Sequence, residues 1–286
     1  MAAPARKIEN LDELSGAYQA LFCDVWGVLH NGVAAHADAC AALIRARTAG
    51  KAVVLITNSP RPRDSVDRQL ARLGVPREAY DAMVTSGDVT RELIAAGPRR
   101  IFHIGEERDL PLFDGLDVEL VEEADAQVVV CSGPFDDEKD TPEDYHAMLR
   151  RMRGRDLPFI CANPDIVVER GDKMIWCAGA IARDYARFGG RTLIAGKPYA
   201  PMYDAALLMA AQRAGRPVER ARCLAIGDGV LTDAKGATDN GIDLLFVTDG
   251  VHGRDYAGVT GPDPALLAAF FAKHGQCPIA WMERLR

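Results

Sequence analysis

The sequence predicts an α/β protein built on a doubly wound parallel sheet. Short β-rich runs alternate with longer segments of helical periodicity, and this alternation is typical of parallel sheets whose strands are joined by helices. The β-rich runs, such as AVVLIT, are continuously apolar rather than alternating, as expected of strands covered on both faces. With 286 residues, 48% of them hydrophobic, the chain has material for one large domain or two modest ones.

Each predicted element follows from such a run or from helical spacing of apolar residues. The predicted strands are 20–25, 52–57, 81–86, 99–105, 126–133, 157–163, 191–196, 222–228 and 243–249. The predicted helices are 36–49, 62–73, 87–96, 142–153, 177–188, 200–213, 232–240 and 263–274. Residues from about 106 to 141 break the rhythm, because they are acidic and rich in loop residues. We expect this stretch to form a solvated face.

Composition excludes some classes of function. The formal net charge is −7, so no face-wide basic excess is present for binding nucleic acid. The seven cysteines are scattered, never spaced Cys-x-x-Cys, and several lie in apolar runs, which predicts reduced thiols in a cytoplasmic protein. No apolar run reaches the roughly 18 residues of a membrane span, and the N-terminus lacks the apolar core of a signal peptide.

Polar side chains follow four of the predicted strands, at the edge where parallel sheets bind ligands. They are Asp24, Thr57 with Asn58, Lys197, and Asp228 with Asp233. Asp24 and Asp228 are suited to share Mg²⁺, which proteins usually hold with one or two carboxylates. Lys197 and Thr57 are suited to hold the oxygens of a phosphoryl group. A carboxylate can also act as the nucleophile and form an aspartyl-phosphate.

Taken together and in this order, the motifs resemble those of the haloacid dehalogenase superfamily. DVWGVLHNG, TNSP, TSGDVT, AGKPY and GDGVLTD are similar to its class IIA branch, the NagD-like and nitrophenyl-phosphatase-like enzymes. The resemblance covers roughly residues 15–260 and implies a Mg²⁺-dependent phosphohydrolase of a small phosphorylated metabolite. It implies a catalytic core of residues 1–87 and 191–286 and an inserted α/β cap of residues 88–190. Cap-mediated dimers are common in this branch, so a homodimer is possible by analogy, but the sequence does not fix the oligomeric state.

The resemblance also implies a role for each residue that binds the phosphoryl group. Asp24 is then the nucleophile and a metal ligand. Lys197 neutralises the phosphate and orients Asp24, while Thr57 and Asn58 bind the phosphate.

Metal binding is assigned in the same way. Asp228 is implied as a direct metal ligand. Asp233 is implied to assist through a bound water or by contacting the groups that bind the metal directly. Asp233 or Thr232 is also a good N-cap for the predicted helix, and both roles are compatible. The main chain is implied to contribute the carbonyl of Trp26 to the metal and the N–H groups of Trp26 and Gly27 to the phosphate.

Trp26 departs from the family pattern, which has an acid/base Asp at this position. An indole N–H donates a hydrogen bond but does not exchange a proton near neutral pH. Positioned acid–base catalysis contributes typically 10²–10⁴-fold, so we expect a weakened phosphatase that favours activated aryl phosphates. His30 is the nearest replacement by pKa; the alternative is a loop histidine partly packed against the cap.

Four further residues have both a functional and a structural interpretation. Arg61 and Arg63 either contact the substrate or lie solvated at the start of a helix. Asn163 and Asp165, in the segment that resembles the family's active-site-facing cap segment, either touch the substrate or only form a tight Asn-Pro-Asp turn. Trp176 is expected in the core.

Two other functions compete with the phosphatase. A degenerate member would bind a phosphometabolite without efficient turnover, and Asp24 would at most become phosphorylated without efficient hydrolysis. Dehalogenase or phosphonatase-like chemistry is the third alternative, since parts of the superfamily work without the missing acid. Lys197, Asp228 and Asp233 favour a metal and phosphoryl transfer.

Overall fold

The computed structural model describes residues 5–170 and 173–286, which form parallel sheets flanked by helices. The strands are β1 (Arg6–Lys7), β2 (Ala20–Cys23), β3 (Ala52–Thr57), β4 (Ala82–Thr85), β5 (Arg100–Ile104), β6 (Glu119–Leu120), β7 (Val128–Cys131), β8 (Phe159–Cys161), β9 (Val167–Arg170), β10 (Lys173–Trp176), β11 (Thr192–Ile194), β12 (Cys223–Gly227), β13 (Asp243–Val247), β14 (Ala257–Gly258), β15 (Gly261–Pro262) and β16 (Ala280–Met282). The helices are α1 (Asp12–Ser15), α2 (Ala37–Thr48), α3 (Arg63–Leu73), α4 (Ser86–Ala95), α5 (His146–Gly154), α6 (Ala178–Arg187), α7 (Ala200–Ala214), α8 (Lys235–Asp239) and α9 (Pro264–His274).

The larger sheet, within the described residues, has seven strands in the order β1-β16-β13-β12-β2-β3-β4, all paired in parallel. Every residue of β2 and β3 is buried, because one apolar cluster covers each face of the sheet. From β2 the chain runs outward to β3 and β4 and later returns to β12 on the other side of β2. β2 therefore lies where the strand order reverses, the point at which open α/β sheets bind their ligands.

The smaller sheet, as far as the chain is described, has five parallel strands in the order β11-β8-β7-β5-β6. It has apolar clusters of its own, with α5 and α6 contributing to one of them. The antiparallel hairpin of β9 and β10 follows β8 in the chain. The predicted α/β class with parallel strands is confirmed.

Helix ends follow local chemistry. The Thr85 hydroxyl accepts the N–H of Asp88 and begins α4, and the Asp263 carboxylate accepts two N–H groups at the start of α9. Gly74 ends α3 at φ +89°, a conformation that favours glycine. Within the described part of the chain, no helix is long and apolar enough to cross a bilayer.

All nine predicted strands are present, with ends shifted by up to two residues, but β1, β6, β16 and both hairpins were not predicted. It also assigned residues from 191 onward to the core, whereas β11 pairs with β8 of the smaller sheet. A three-residue apolar strand carries no signal for the sheet it joins, so this pairing could not be predicted from the sequence. The helix predicted over 232–240 is a π-helical turn, Val230–Ala234, followed by α8. The division into core and cap otherwise stays a prediction.

Candidate active site

The carboxyl ends of three neighbouring strands place the predicted residues together. Asp24 follows β2, Thr57 ends β3 and Asp228 follows β12, and these strands are adjacent in the larger sheet. The N–H of Asp24 donates to the Ile226 carbonyl at 2.8 Å, which extends the pairing of β2 with β12 by one step. The site thus forms because three buried apolar strands end at one edge.

Lys197 lies among buried carboxylates. Its Nζ donates to Asp24 Oδ1 at 2.5 Å and to Asp233 Oδ1 at 2.8 Å, and all three side chains are buried. Burial, followed by the charge of Asp233, raises the pKa of the Asp24 carboxyl well above its usual range, and Lys197 only partly opposes this. One ammonium group therefore faces the carboxylates of Asp24, Asp228 and Asp233.

The donor set fits a hard divalent cation. Asp24, Asp228 and Asp233 each offer a carboxylate oxygen, and these atoms lie within 4.8 Å of one another. Burial, then the neighbouring Asp233, raises the pKa of Asp228 to about 7. Buried negative charge in excess of its counter-charge is unfavourable, so a cation would be stabilising here.

Two glycines allow the backbone to pass close to Asp228. A Cβ atom would lie 2.3 Å from Asp228 Oδ2 on Gly27 and 2.1 Å from it on Gly250. The N–H of Val251 donates to the same oxygen at 3.0 Å. Asp233 accepts the Gly229 N–H at 3.0 Å, so it closes the π-helical turn and binds Lys197 at once.

Thr57 and Asn58 are both buried, but their side chains already have partners. Thr57 Oγ1 accepts the N–H of Ser59 at 3.2 Å and remains able to donate its hydroxyl proton. Asn58 Oδ1 accepts the Lys197 N–H at 2.7 Å, and Asn58 Nδ2 donates to Asp165 Oδ1 at 2.9 Å. Asn58 thus ties the loop after β3 to Lys197 and to the Asn-Pro-Asp turn.

Trp26 is half-buried and lies beside Asp24. Its ring meets the His30 ring edge-on, with centroids 4.8 Å apart, and its six-membered ring leaves no room for a side chain on Gly32. The Gly27 N–H, predicted to bind phosphate, donates to the His30 carbonyl at 2.9 Å in this structure.

His30 is fully buried, which favours the interpretation as a packed histidine. Its Nδ1 accepts the Gly32 N–H at 2.9 Å, so the neutral ring carries its proton on Nε2, which has no partner among the described residues. Burial lowers the pKa of His30 to about 4. A neutral imidazole without access to solvent is a poor proton donor at neutral pH.

A cavity of about 360 Å³ opens above Asp24. Its walls include residues of the larger sheet's loops, among them Trp26, Thr57 and Arg61, and residues following the smaller sheet's strands, among them Ser132. A second cavity of about 50 Å³ is bounded by Asp24, Trp26, Gly27, Asp165 and Asp228, among others. Asn163 and Asp165 line the larger cavity. Trp176, expected in the core, also lines it and is half-buried.

The sequence analysis missed several charged residues of this cavity. The stretch expected to be a solvated face contributes Arg108, Asp109 and Asp137, of which the two acids are buried. Asp137 is bound by both Arg108 and Arg170, which lower its pKa to about 2 against the opposing effect of burial. These contacts join segments about 30 residues apart, so no local sequence pattern predicts them.

Comparisons with known proteins agree with the geometry. Residues 21–119 match the family model of haloacid dehalogenase-like hydrolases, and residues 194–271 match a HAD-hydrolase-like model. A crystal structure of a hydrolase of the haloacid dehalogenase-like family from Brucella suis 1330 is 57% identical, covers 98% of this chain and 100% of its own, and superimposes with a TM-score of 0.89. The chain belongs to the haloacid dehalogenase-like hydrolase family.

More distant structures share the fold. NagD from Escherichia coli K-12 is 18% identical with a TM-score of 0.65, and p-nitrophenyl phosphatase from Archaeoglobus fulgidus is 19% identical with a TM-score of 0.69. Each comparison covers 93% of this chain and 96% of the other. The predicted resemblance to class IIA members is confirmed at the level of the fold. A search of curated proteins finds no significant match.

Proposed function

We propose that this protein is a Mg²⁺-dependent phosphohydrolase that acts on a small phosphorylated metabolite through an aspartyl-phosphate on Asp24. The observation that carries the proposal is the buried cluster in which Lys197 Nζ lies 2.5 Å from Asp24 Oδ1, with Asp228 and Asp233 close by. Residues 88–190 act as the cap that closes over the substrate.

Asp24 performs the transfer. Lys197 holds Asp24 Oδ1, so the other oxygen attacks phosphorus, the bond to the leaving oxygen breaks, and an aspartyl-phosphate forms. Water then attacks phosphorus, which releases inorganic phosphate and restores the Asp24 carboxylate. The Thr57 hydroxyl donates a hydrogen bond to a phosphoryl oxygen.

The carboxylates of Asp24 and Asp228, assisted by Asp233, would hold the cation. Bound Mg²⁺ supplies positive charge against the phosphate oxygens. The Asp24 carboxylate and the Lys197 ammonium group, which have opposite charges, then both contact the same phosphoryl group. Together they fix the orientation of that group.

Because position 26 is Trp rather than Asp, no dedicated group transfers a proton to the leaving oxygen. Aryl oxygens leave without full protonation, whereas alkyl oxygens require it. Activity is therefore expected to be low and to favour aryl phosphates, as the buried and neutral His30 provides no substitute.

The test is Mg²⁺-dependent release of nitrophenol from nitrophenyl phosphate. Wild type should turn over, and Asp24→Asn should abolish turnover because the amide is not nucleophilic. Asp12→Asn removes a carboxylate that pairs with Arg45 on the surface and serves as the matched control. Turnover that survives Asp24→Asn would contradict the proposal.

The indole beside the nucleophile also favours a second candidate, a protein that binds a phosphometabolite without efficient turnover. In that case wild type releases no nitrophenol, while Trp26→Asp does. Phosphorylation of Asp24 that persists in wild type, detected as a mass increase of the intact protein, would place the block at the second step. The retained carboxylates at positions 228 and 233 favour both candidates over dehalogenation.

A further inference from the structure

Arg61 is a cation of the cavity that has no ion-pair partner among the described residues. It follows the loop after β3, is half-buried, and lines the same cavity as Asp24. Its Nη2 donates to the side-chain oxygen of Gln69, and no carboxylate among the described residues lies within 4.0 Å of its guanidinium nitrogens. Arg63, two residues later, is instead exposed and paired with Asp88.

The surroundings of Arg61 are themselves basic. Of the charged groups that act on it, Asp109 is an acid, whereas Arg72, Arg108 and Arg170 are cations. Arg108 and Arg170 line the cavity with Arg61, but both bind the same carboxylate, that of Asp137.

Asp109 does not serve as the missing partner by direct contact. Its Oδ2 accepts the Ser132 hydroxyl at 2.8 Å, and burial raises its pKa. A guanidinium held away from water without an ion pair is unfavourable, and burial lowers the pKa of Arg61 accordingly. An anionic group in the cavity would remove this cost.

The proposed function assigns the transferred phosphoryl group to Asp24, Thr57 and Lys197 and leaves Arg61 without a role. Arg61 lines the cavity together with Arg108 and Asp109 of the smaller sheet's part, and these are also the two charged groups that act on it most strongly. A cavity of about 360 Å³ has room for a metabolite that reaches both Asp24 and Arg61.

We infer that the substrate carries a second anionic group, a carboxylate or a further phosphate, which Arg61 binds in the same cavity as the transferred phosphoryl group. The inference rests on the proposed function, because it names the substrate class of the same site. Guanidinium groups bind both anions through paired N–H donors, so the two share one chemistry.

The test compares pairs of phosphate esters in which one member carries a second anionic group. 4-Carboxyphenyl phosphate is compared with its methyl ester, and fructose 1,6-bisphosphate with fructose 6-phosphate, so that the first pair probes a carboxylate and the second a phosphate. Wild type should prefer the doubly anionic member of at least one pair by about tenfold or more in kcat/KM, mainly through KM. In Arg61→Gln that preference should fall by about tenfold or more, to near parity, and Arg61→Lys should restore part of it. Arg63→Gln, which removes a neighbouring exposed arginine, should keep the preference.

A binding experiment separates this inference from the proposed function. Calorimetric affinities of the same esters are measured for Asp24→Asn and for Asp24→Asn combined with Arg61→Gln, after cooperative unfolding of each variant is confirmed. A preference present in the first and lost in the second supports the inference even if wild type hydrolyses nothing. Equal affinities for both members of each pair, or an equal loss for both on changing Arg61, would overturn it.

Discussion

Trp26 changes the chemistry at a single position while the surrounding residues keep their places. Replacing it by aspartate should restore a group that protonates the leaving oxygen. Trp26→Asp is expected to raise the ratio of glycerol phosphate to nitrophenyl phosphate turnover by about tenfold or more, as part of the 10²–10⁴-fold that positioned acid–base catalysis contributes. Initial rates on both esters measure it. Trp26→Phe, which stays aromatic and cannot exchange a proton, is the control, and an unchanged ratio in Trp26→Asp would contradict the assignment.

His30 has a consequence for stability rather than for catalysis. Burial lowers its pKa from 6.5 to about 4, so the folded protein resists a proton that the unfolded chain takes up. The stability that the neutral His30 ring gives to the folded protein is fully present above pH 6.5. It is lost as the pH falls through 6.5 towards 4. Between pH 7 and pH 5 this amounts to roughly 2 kcal/mol of the free energy of unfolding.

Urea unfolding at pH 7 and pH 5 checks this value. In His30→Phe the decrease in stability between the two pH values should be smaller than in wild type by that amount. The two proteins share every other titrating group, including His103, whose pKa is also lowered by burial. Equal decreases in both proteins would show that His30 is not held neutral.

The sequence predicted the residues of the site that follow apolar strands. Asp24 and Asp228 were recognisable because an acid directly after a buried parallel strand lies at the ligand-binding edge. Asp109 and Asp137 were not, because their burial depends on Ser132, Arg108 and Arg170, which are distant in sequence.

Among the elements, α4 limits the position of the loop that follows β3. At Gly87 a Cβ atom would lie 2.4 Å from main-chain atoms of Pro60 and Arg61, so the first turn of the helix packs directly on that loop. Gly87→Ala must displace the helix or the loop, and overpacking of this kind costs about 1–3 kcal/mol.

We therefore expect Gly87→Ala to lower the free energy of unfolding by that amount and to raise KM for aryl phosphates. Gly154→Ala is the matched control, because a Cβ atom at Gly154 meets no atom within 4 Å. Urea unfolding and steady-state rates of the two variants give both values. If both variants behave like wild type, the loop does not depend on the helix.

Most strands with several consecutive buried apolar residues were predicted from the sequence; β16, whose three residues are all buried, is an exception. β3 was predicted to the residue, since AVVLIT is buried throughout. The two-residue strands β1 and β6 were missed because pairing alone defines them. The hairpin of β9 and β10 was missed because its residues are mostly half-buried or exposed, which leaves no apolar run.

In the whole molecule, the site depends on contacts between the two sheets' loops. Asn58 joins the larger sheet's edge to Asp165, and the Ser86 hydroxyl donates to the Ala195 carbonyl at 2.8 Å. Residues of both parts form the walls of the cavity above Asp24, so its shape depends on how the two parts contact each other.

Mg²⁺ is expected to stabilise the folded protein, since the unfolded chain does not bring Asp24, Asp228 and Asp233 together. Binding at 100 times the dissociation constant adds about 2.7 kcal/mol, which raises the melting temperature by several degrees. Thermal unfolding with and without the ion measures the shift. Asp228→Asn should abolish it, whereas the surface control Asp12→Asn should keep it.

The same variant separates metal binding from general damage. Burial among like charges raises the pKa of Asp24 and of Asp228, so ionised carboxylates destabilise the metal-free fold at pH 8. Without Mg²⁺, Asp228→Asn should therefore unfold at the same temperature as wild type or at a higher one. A variant that is as stable as wild type without the ion, yet insensitive to it, would identify the carboxylates as a cation site. A lower melting temperature without the ion would instead show that Asp228 stabilises the fold through its contact with Val251.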